Sequence, residues 1–388
     1  MRSLELFAGA GGLAIGVSDA GFIHDSLVEM DRHAVRTLEI NRAGGFSPYG
    51  GVSILEDDVR NISLGPFRGI DFVSGGPPCQ PFSNGGKKNG NGDSRNMFPA
   101  TVDIIKEIAP KAFLLENVKG LAQKSFGNYL EYVRLRLSYP EVEGSHDGSW
   151  EEHLLLLRQF HTSTAGRGLT YNVSIVWLNT ADYGLAQKRE RVFIVGFRSD
   201  INAKWKLPNP THSEEELVRA QWVTNEYWES NKVPKKERLT DPDHRTNQVL
   251  RNLGECTNLR PWNTIRTCLS DLPPPSRKGK SRKFSLHEYQ PGARAYKGHT
   301  GSPYDQPSKT IKAGVNGIPG GENMIRFYDQ ELRYMTIREV ARLQGFPDEY
   351  HFVGSRTAIM RQLGNAVPPD IARILAGSIK RSLEECEI

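Results

Sequence analysis

The chain has 388 residues, 38% hydrophobic and 24% charged, a balance that supplies a sizeable core and excludes collagen, coiled coil and wholesale disorder. No run of about 18 apolar residues occurs, no apolar leader opens the chain, and four scattered cysteines fit neither a disulfide framework nor a zinc site; a membrane span and a secretory signal are not expected, and a reducing cytoplasm fits. The net charge is +5, yet residues 201–335 hold 22 Lys/Arg against 15 Asp/Glu while the rest is slightly acidic, which suits either a polyanion partner or a solvated basic surface.

At about 150 residues per domain the length predicts two domains. Residues 1–197 alternate short apolar runs with amphipathic segments. Strands are expected at Ser3–Phe7, Ile23–Glu29, Ile70–Ser74, Ala112–Glu116, Ser174–Asn179 and Arg191–Phe197. Helices are expected at Gly12–Ala20, His33–Asn41, Met97–Ile108 and Phe126–Leu137. This alternation predicts an α/β fold with a doubly wound, mostly parallel sheet. From about 198 to 335 the alternation stops and turn signals crowd in, among them Asn209-Pro210, Pro273-Pro274-Pro275 and Pro319-Gly320-Gly321, so an irregular second domain is expected. Helical pattern returns after Thr336-Ile337-Arg338-Glu339, which reads as a capped helix start, and Asp370–Leu383 carries an apolar stripe.

Four segments carry chemistry. In Leu4–Gly12 a strand runs into a Gly-rich turn and a helix, a pattern open to three readings: a plain tight turn, a dinucleotide site or a nucleoside site. Glu29, ending the second strand, can accept hydrogen bonds from ribose hydroxyls, and Asp58 can take a nucleobase amino group, unless both are surface acids. In Gly75–Ser83, Cys79 stands just past a strand end among prolines that fix the backbone, where α/β sheets place ligands. The following Asn84–Asn96, rich in Gly, Asn and Lys, reads as a lid or as a plain surface loop, with Lys87, Lys88 and Arg95 suited to phosphate. In Phe113–Val118 a strand ends in Glu116, a buried acid able to donate a proton or a helix cap. In Gln187–Phe193, Arg189 and Arg191 open an apolar strand; Arg191 can hold an acid or carbonyl in fixed geometry, unless either arginine simply caps the sheet.

Together these segments resemble the C5-cytosine DNA methyltransferases of bacterial restriction–modification systems. Phe7–Gly12, Pro78-Cys79-Gln80, Glu116-Asn117-Val118, Gln187–Phe193, Arg342–Pro347 and Gln362–Pro368 follow that family's order. The resemblance implies a catalytic and cofactor-binding domain from 1–197 plus 333–388 in an S-adenosylmethionine-dependent methyltransferase fold, with 198–332 as the target-recognition domain. It implies S-adenosyl-L-methionine over Phe7, Ala8, Gly9, Gly11 and Gly12, with Glu29 on the ribose, Met30 on the adenine face, Asp58 on the adenine amino group, and Asn365 returning to the pocket. The Pro78 carbonyl is expected to contact the cofactor or the target base. Cys79 is the expected nucleophile, Glu116 the proton donor and Arg191 the O2 ligand, with Arg189 assisting; no metal is implied.

The expected substrate is a cytosine flipped out of double-stranded DNA. Ser83 and the lysines and arginine of the lid, with Arg294, Lys297, Lys309 and Lys312, are the expected DNA contacts. A monomer is expected, functionally paired with a cognate restriction endonuclease. The same chemistry on tRNA, a non-catalytic nucleic-acid-binding protein on this fold, and a nicotinamide-dependent oxidoreductase are the alternatives. Residues 138–172 exceed what the family core needs; Trp150–Phe160 there is expected to be an added helix that packs on the sheet or touches DNA.

Overall fold

A computed structural model describes residues 1–46, 49–78, 96–122, 127–145, 148–163, 168–276, 284–296, 300–313 and 323–386. The chain divides into two compact units: 1–178, 190–208 and 372–388 in the first, 179–189 and 209–371 in the second. This differs from the division read in the sequence. Residues 333–371, expected with the catalytic domain, pack with the second unit, as does the short run 179–189.

The first unit contains a seven-stranded sheet. In chain order it is built from β1 (Arg2–Leu6), α1 (Gly12–Asp19), β2 (Ile23–Glu29), α2 (Arg32–Ala43), β3 (Ser53–Glu56), β4 (Phe72–Gly75), α3 (Phe98–Ile108), β5 (Ala112–Val118), α4 (Gly127–Ser138), α5 (Trp150–Thr162), β6 (Tyr171–Asn179) and β7 (Glu190–Arg198). The strand order is β3-β2-β1-β4-β5-β7-β6. The pairs among β1 to β5 are parallel and β7 runs antiparallel to β5. Strand alternation sorts the side chains: Leu4, Leu6, Val73, Phe113 and Leu115 join one apolar core with Val102 and Ile105 of α3. Burying each such side chain contributes about 1.5–3 kcal/mol. Short β3, half exposed, has too little apolar signal to be read in the sequence.

The added helix α5 begins with a capping box between Ser149 and Glu152. It packs chiefly on α4, where Leu154 and Leu157 are buried against Leu135 and Tyr139 and Trp150 meets the Tyr129 ring edge-on at 5.3 Å, and Trp150 also reaches the apolar core of the sheet.

The second unit is more helical than its turn-rich sequence suggests. It holds β8 (His212–Ser213), α6 (Glu214–Trp222), α7 (Glu226–Ser230), α8 (His244–Arg251), β9 (Arg260–Pro261), α9 (Ile265–Leu269), β10 (Ser302–Pro303), β11 (Met324–Arg326), β12 (Leu332–Tyr334), α10 (Ile337–Leu343) and α11 (Arg356–Asn365). These helices are short, and Ser213, Asp243, Thr264, Thr336 and Ser355 each cap one with a side-chain oxygen. Leu217, Trp228, Val233 and Trp262 form its own small core. The last helix, α12 (Pro369–Glu384), places Ile379 and Leu383 inside the first unit.

Candidate active site

Strand order reverses beside β1, so β1 and β4 are neighbours whose following loops diverge from one point at the carboxyl edge of the sheet. Their register, Leu6 with Gly75, brings the chain out of both strands side by side. A Cβ on Gly75 would lie 2.7 Å from the Leu6 carbonyl oxygen, so this close approach requires glycine.

From β1 the chain enters the Gly-rich turn. Phe7 and Gly9 have φ of 55° and Gly11 has φ of 79°. Left-handed backbone suits glycine and strains Phe7, a residue type that rarely adopts it. Cross-chain bonds hold the turn: Gly9 N donates to Glu29 Oε2 at 2.7 Å, and the Tyr49 hydroxyl donates to Gly11 O at 3.0 Å. Asp31 N donates to the other Glu29 oxygen at 2.7 Å, and burial pushes the Glu29 carboxyl above its usual range. A Cβ on Gly9 would meet open space, so a ligand has room against this backbone. Met30 is 67% exposed beside Glu29. Asp58 is held by Arg60 Nη2 at 2.6 Å, and this bond draws its carboxyl below the usual range. Arg60 thus already engages both Asp58 oxygens.

From β4 the chain enters Gly76-Pro77-Pro78. Asn117 Nδ2 donates to Pro77 O at 3.0 Å and Met97 N to Pro78 O at 3.2 Å, so this loop is pinned to β5 and to the start of α3. Gly76 lies against the Glu116 carboxylate: its Cβ would stand 3.6 Å from Oε2. In the antiparallel pair, Glu116 faces Phe193 and Val118 faces Arg191, which makes Glu116 and Arg191 diagonal neighbours on one face. Arg191 Nε lies 2.9 Å from Glu116 Oε1, an ion contact whose N–H direction misses hydrogen-bond alignment. Both side chains are mostly buried, so bulk solvent screens the pair weakly. Asn117 stands inside the Glu116-Asn117-Val118 motif, but only the fold shows that its amide holds the Pro77 carbonyl.

Beneath the turn lies Glu5, fully buried, with Ser74 Oγ donating to Oε2 at 3.1 Å. Loss of solvent pushes its carboxyl up to about 8.

The other expected site residues that the structure describes belong to the second unit. Arg189 precedes β7, and strand alternation with Arg191 does not extend to it. It is buried in the second unit, where Nη2 donates to Gly364 O at 3.0 Å and Ala366 O at 2.9 Å, on either side of the exposed Asn365. Arg294 stacks over Tyr296 at 5.0 Å, Lys309 Nζ reaches the Thr300 hydroxyl at 3.2 Å, and Lys312 is exposed. Cys79, Ser83, Lys87, Lys88, Arg95 and Lys297 lie outside the described residues. A cavity of about 390 Å³ lined by Asp19, Ala20, Arg373 and Lys380 opens at the far end of α1 and includes none of the expected site residues.

The sheet order, the Gly-rich turn after β1 and the acid ending β2 define an S-adenosylmethionine-dependent methyltransferase fold. The family model of the C-5 cytosine-specific DNA methylases matches residues 1–138 and 156–381. The chain belongs to that family and is a DNA (cytosine-5)-methyltransferase. It is 29% identical over 392 residues to the type II methyltransferase M.NgoMIV of Neisseria gonorrhoeae, covering 99% of this chain and 98% of that one. It is 32% identical over 390 residues to M.Sau96I of Staphylococcus aureus, covering 98% and 76% respectively. Among solved structures, the S. pombe Dnmt2 methyltransferase aligns over 100% of both chains with TM-score 0.56 and 16% identity, a likeness of fold. The family-model gap at 139–155 falls on the segment before α5 and its first turns. No helix among the described residues is long and apolar enough to cross a membrane.

Proposed function

We propose that the carboxyl edge at β1, β4, β5 and β7 is the methyl-transfer site, acting on a cytosine extruded from duplex DNA through a covalent adduct of Cys79. One observation carries this reading: the Gly76–Pro78 loop, which leads directly to Cys79, is fixed by Asn117 beside the Glu116–Arg191 pair. Cytosine carbon 5 is a poor nucleophile. The Cys79 thiolate adds to carbon 6, and the electron pair of the 5,6 double bond becomes available at carbon 5. Glu116 binds the N3 and amino edge and supplies the proton that balances the growing charge. Arg191 holds the O2 side and keeps Glu116 oriented. After methylation, loss of the carbon-5 proton and of the thiolate restores the ring. A free thiol has a pKa of about 8.5, so the site must favour the thiolate.

The Gly-rich turn fits S-adenosyl-L-methionine, which supplies an electrophilic methyl group when bound. Phe7, Ala8, Gly9, Gly11 and Gly12 line it with backbone, Glu29 retains lone pairs for ribose hydroxyls, and exposed Met30 covers the adenine. Asp58 meets the adenine amino group. Pro78 and Asn365 are assigned to the site on the family resemblance. The basic residues Arg294, Lys309 and Lys312 grip phosphates, and the protein acts as a monomer whose methylation shields host DNA from a cognate endonuclease.

Bisulfite sequencing of DNA from cells expressing the chain tests this reading. Conversion-resistant cytosines at one short sequence are expected with the wild type and not with Cys79→Ala. A fully active Cys79→Ala protein would exclude the thiol mechanism.

A further inference from the structure

The run 186–189 does something the reaction itself does not require. Its backbone takes up residues 308–310 as a neighbouring strand would: Ser308 N donates to Ala186 O at 2.8 Å, Lys188 N to Ser308 O at 2.7 Å, and Thr310 Oγ1 to Lys188 O at 2.8 Å. Its side chains then hold the Ile311 backbone from both sides. Gln187 Oε1 accepts from Ile311 N at 2.9 Å, and Arg189 Nη1 donates to Ile311 O at 3.3 Å.

Both side chains are anchored at their other groups. Gln187 Nε2 donates to Leu343 O at 3.1 Å and to Gln344 Oε1 at 2.7 Å. Arg189 holds the Gly364 and Ala366 carbonyls, and Gly364 is packed so tightly that a Cβ there would stand 2.3 Å from Ala313 N. Gln187, Arg189, Gln344, Ser308 and Ile311 are all buried, while Lys309 is half-buried and Lys312 exposed. A buried amide or guanidinium left without partners costs more than a made bond contributes, so the segment has one favourable register.

We propose that Gln187 and Arg189 are positioning residues for target recognition: they fix the 308–312 segment so that Lys309 and Lys312 meet the DNA phosphates. This rests on the DNA reading above. It gives Arg189 a role in substrate placement, distinct from the contact of Arg191 with Glu116.

The test is duplex-DNA binding across a series of KCl concentrations, with steady-state kinetics alongside, for Gln187→Leu and for the milder Thr310→Val. Each phosphate contact contributes about 0.9 to the slope of log K against log salt. Gln187→Leu should flatten that slope by about 1–2 and raise KM for DNA while leaving kcat within about threefold; these ranges follow from losing one or two contacts. Thr310→Val should shift both in the same direction by less, and remains informative if Gln187→Leu does not fold. Combined with Lys309→Ala and Lys312→Ala, Gln187→Leu should add little further, because the contacts it misplaces are already gone. Unchanged slopes in both variants, or full additivity, would overturn the assignment. A wild type that labels tRNA and ignores duplex DNA would instead remove the reading on which it rests.

Discussion

The two units hold their functional groups by different means. In the first, backbone ladders do most of the positioning: Glu116 and Arg191 are diagonal neighbours because β5 and β7 pair in one register, and Gly75 lies against Leu6 because β4 pairs with β1. In the second, strands are two or three residues long and buried side chains replace the ladder. Asp305 accepts from the Tyr227 hydroxyl at 2.8 Å and from Arg266 Nε at 2.6 Å, and Glu216 accepts from Thr257 N at 2.8 Å. Arg333 pairs with Glu339 at 2.7 Å, and Arg338 donates to the carbonyls of Pro347 and Tyr350. A ladder constrains little about side-chain identity on its exposed face. A side-chain network depends on each member, since removing one strands the rest.

The largest expected effect concerns a residue that no ladder can replace. On the thiol mechanism proposed above, Cys79→Ala should lower methyl transfer to DNA by on the order of 10⁴-fold or more, as the loss of a covalent nucleophile generally does. Transfer of labelled methyl to DNA measures it. Denaturant unfolding of both proteins, run alongside, separates a loss of chemistry from a loss of fold.

Next comes the network of the second unit. Asp305→Ala leaves Arg266 and the Tyr227 hydroxyl without their shared acceptor, and breaking such a buried pair costs about 3–5 kcal/mol. Its effect should be a lower denaturation midpoint. By contrast, Lys119→Ala breaks a surface pair with Glu190 in the first unit and should change stability by under about 1 kcal/mol. Equal effects of the two substitutions would erase the contrast between ladder and network.

That contrast also explains what the sequence made legible. β2 and the start of α1 are found where the apolar pattern placed them, because period and turn chemistry are local properties. Glu29 ends β2 as its sequence position predicts, whereas β5 runs on to Val118, two residues past Glu116. The second unit reads as irregular because its helices are short, so their apolar faces scarcely rise above the turn signals. The partners of Arg189 are not legible for a related reason: it stands two residues before Arg191 in sequence, but β7 begins between them at Glu190, and its bonds run to Ile311, Gly364 and Ala366. The bonds of Asn117 to Pro77 and of Tyr49 to Gly11 span 40 and 38 residues, and no local pattern encodes them.

A third prediction concerns Glu5, a buried acid of the first unit that the ladder alone does not satisfy. Glu5 faces Ser74 on β4, the α1 backbone at Ala14 and, at longer range, Glu29; burial holds its carboxyl at about 8 against about 4.5 when unfolded. A raised folded-state value means that the contribution is fully present below pH 4.5 and is lost as pH rises through 8. The wild type should therefore lose stability relative to Glu5→Gln between pH 5 and pH 8, by about 2–4 kcal/mol. Unfolding midpoints of the two proteins at both pH values check this; a difference independent of pH would mean that Glu5 is ionised in the fold.

The smallest effect probes a side-chain tie at the Gly-rich turn of the kind the second unit uses. Tyr49 is fully buried, and its hydroxyl donates to Gly11 O at the residue that caps α1. Tyr49→Phe keeps the ring and its packing and removes one neutral hydrogen bond, a loss of about 1 kcal/mol. If the turn is fixed chiefly by β1 and by the Glu29 bond to Gly9, that loss should appear in the unfolding midpoint, and the dissociation constant for S-adenosyl-L-methionine should rise no more than about threefold. If the hydroxyl instead sets the left-handed backbone at Gly11, cofactor affinity should fall by tenfold or more at unchanged stability. The first outcome keeps the cofactor turn with the ladder-built regions; the second would move it among the networks, where a single side-chain oxygen decides the geometry of a whole segment.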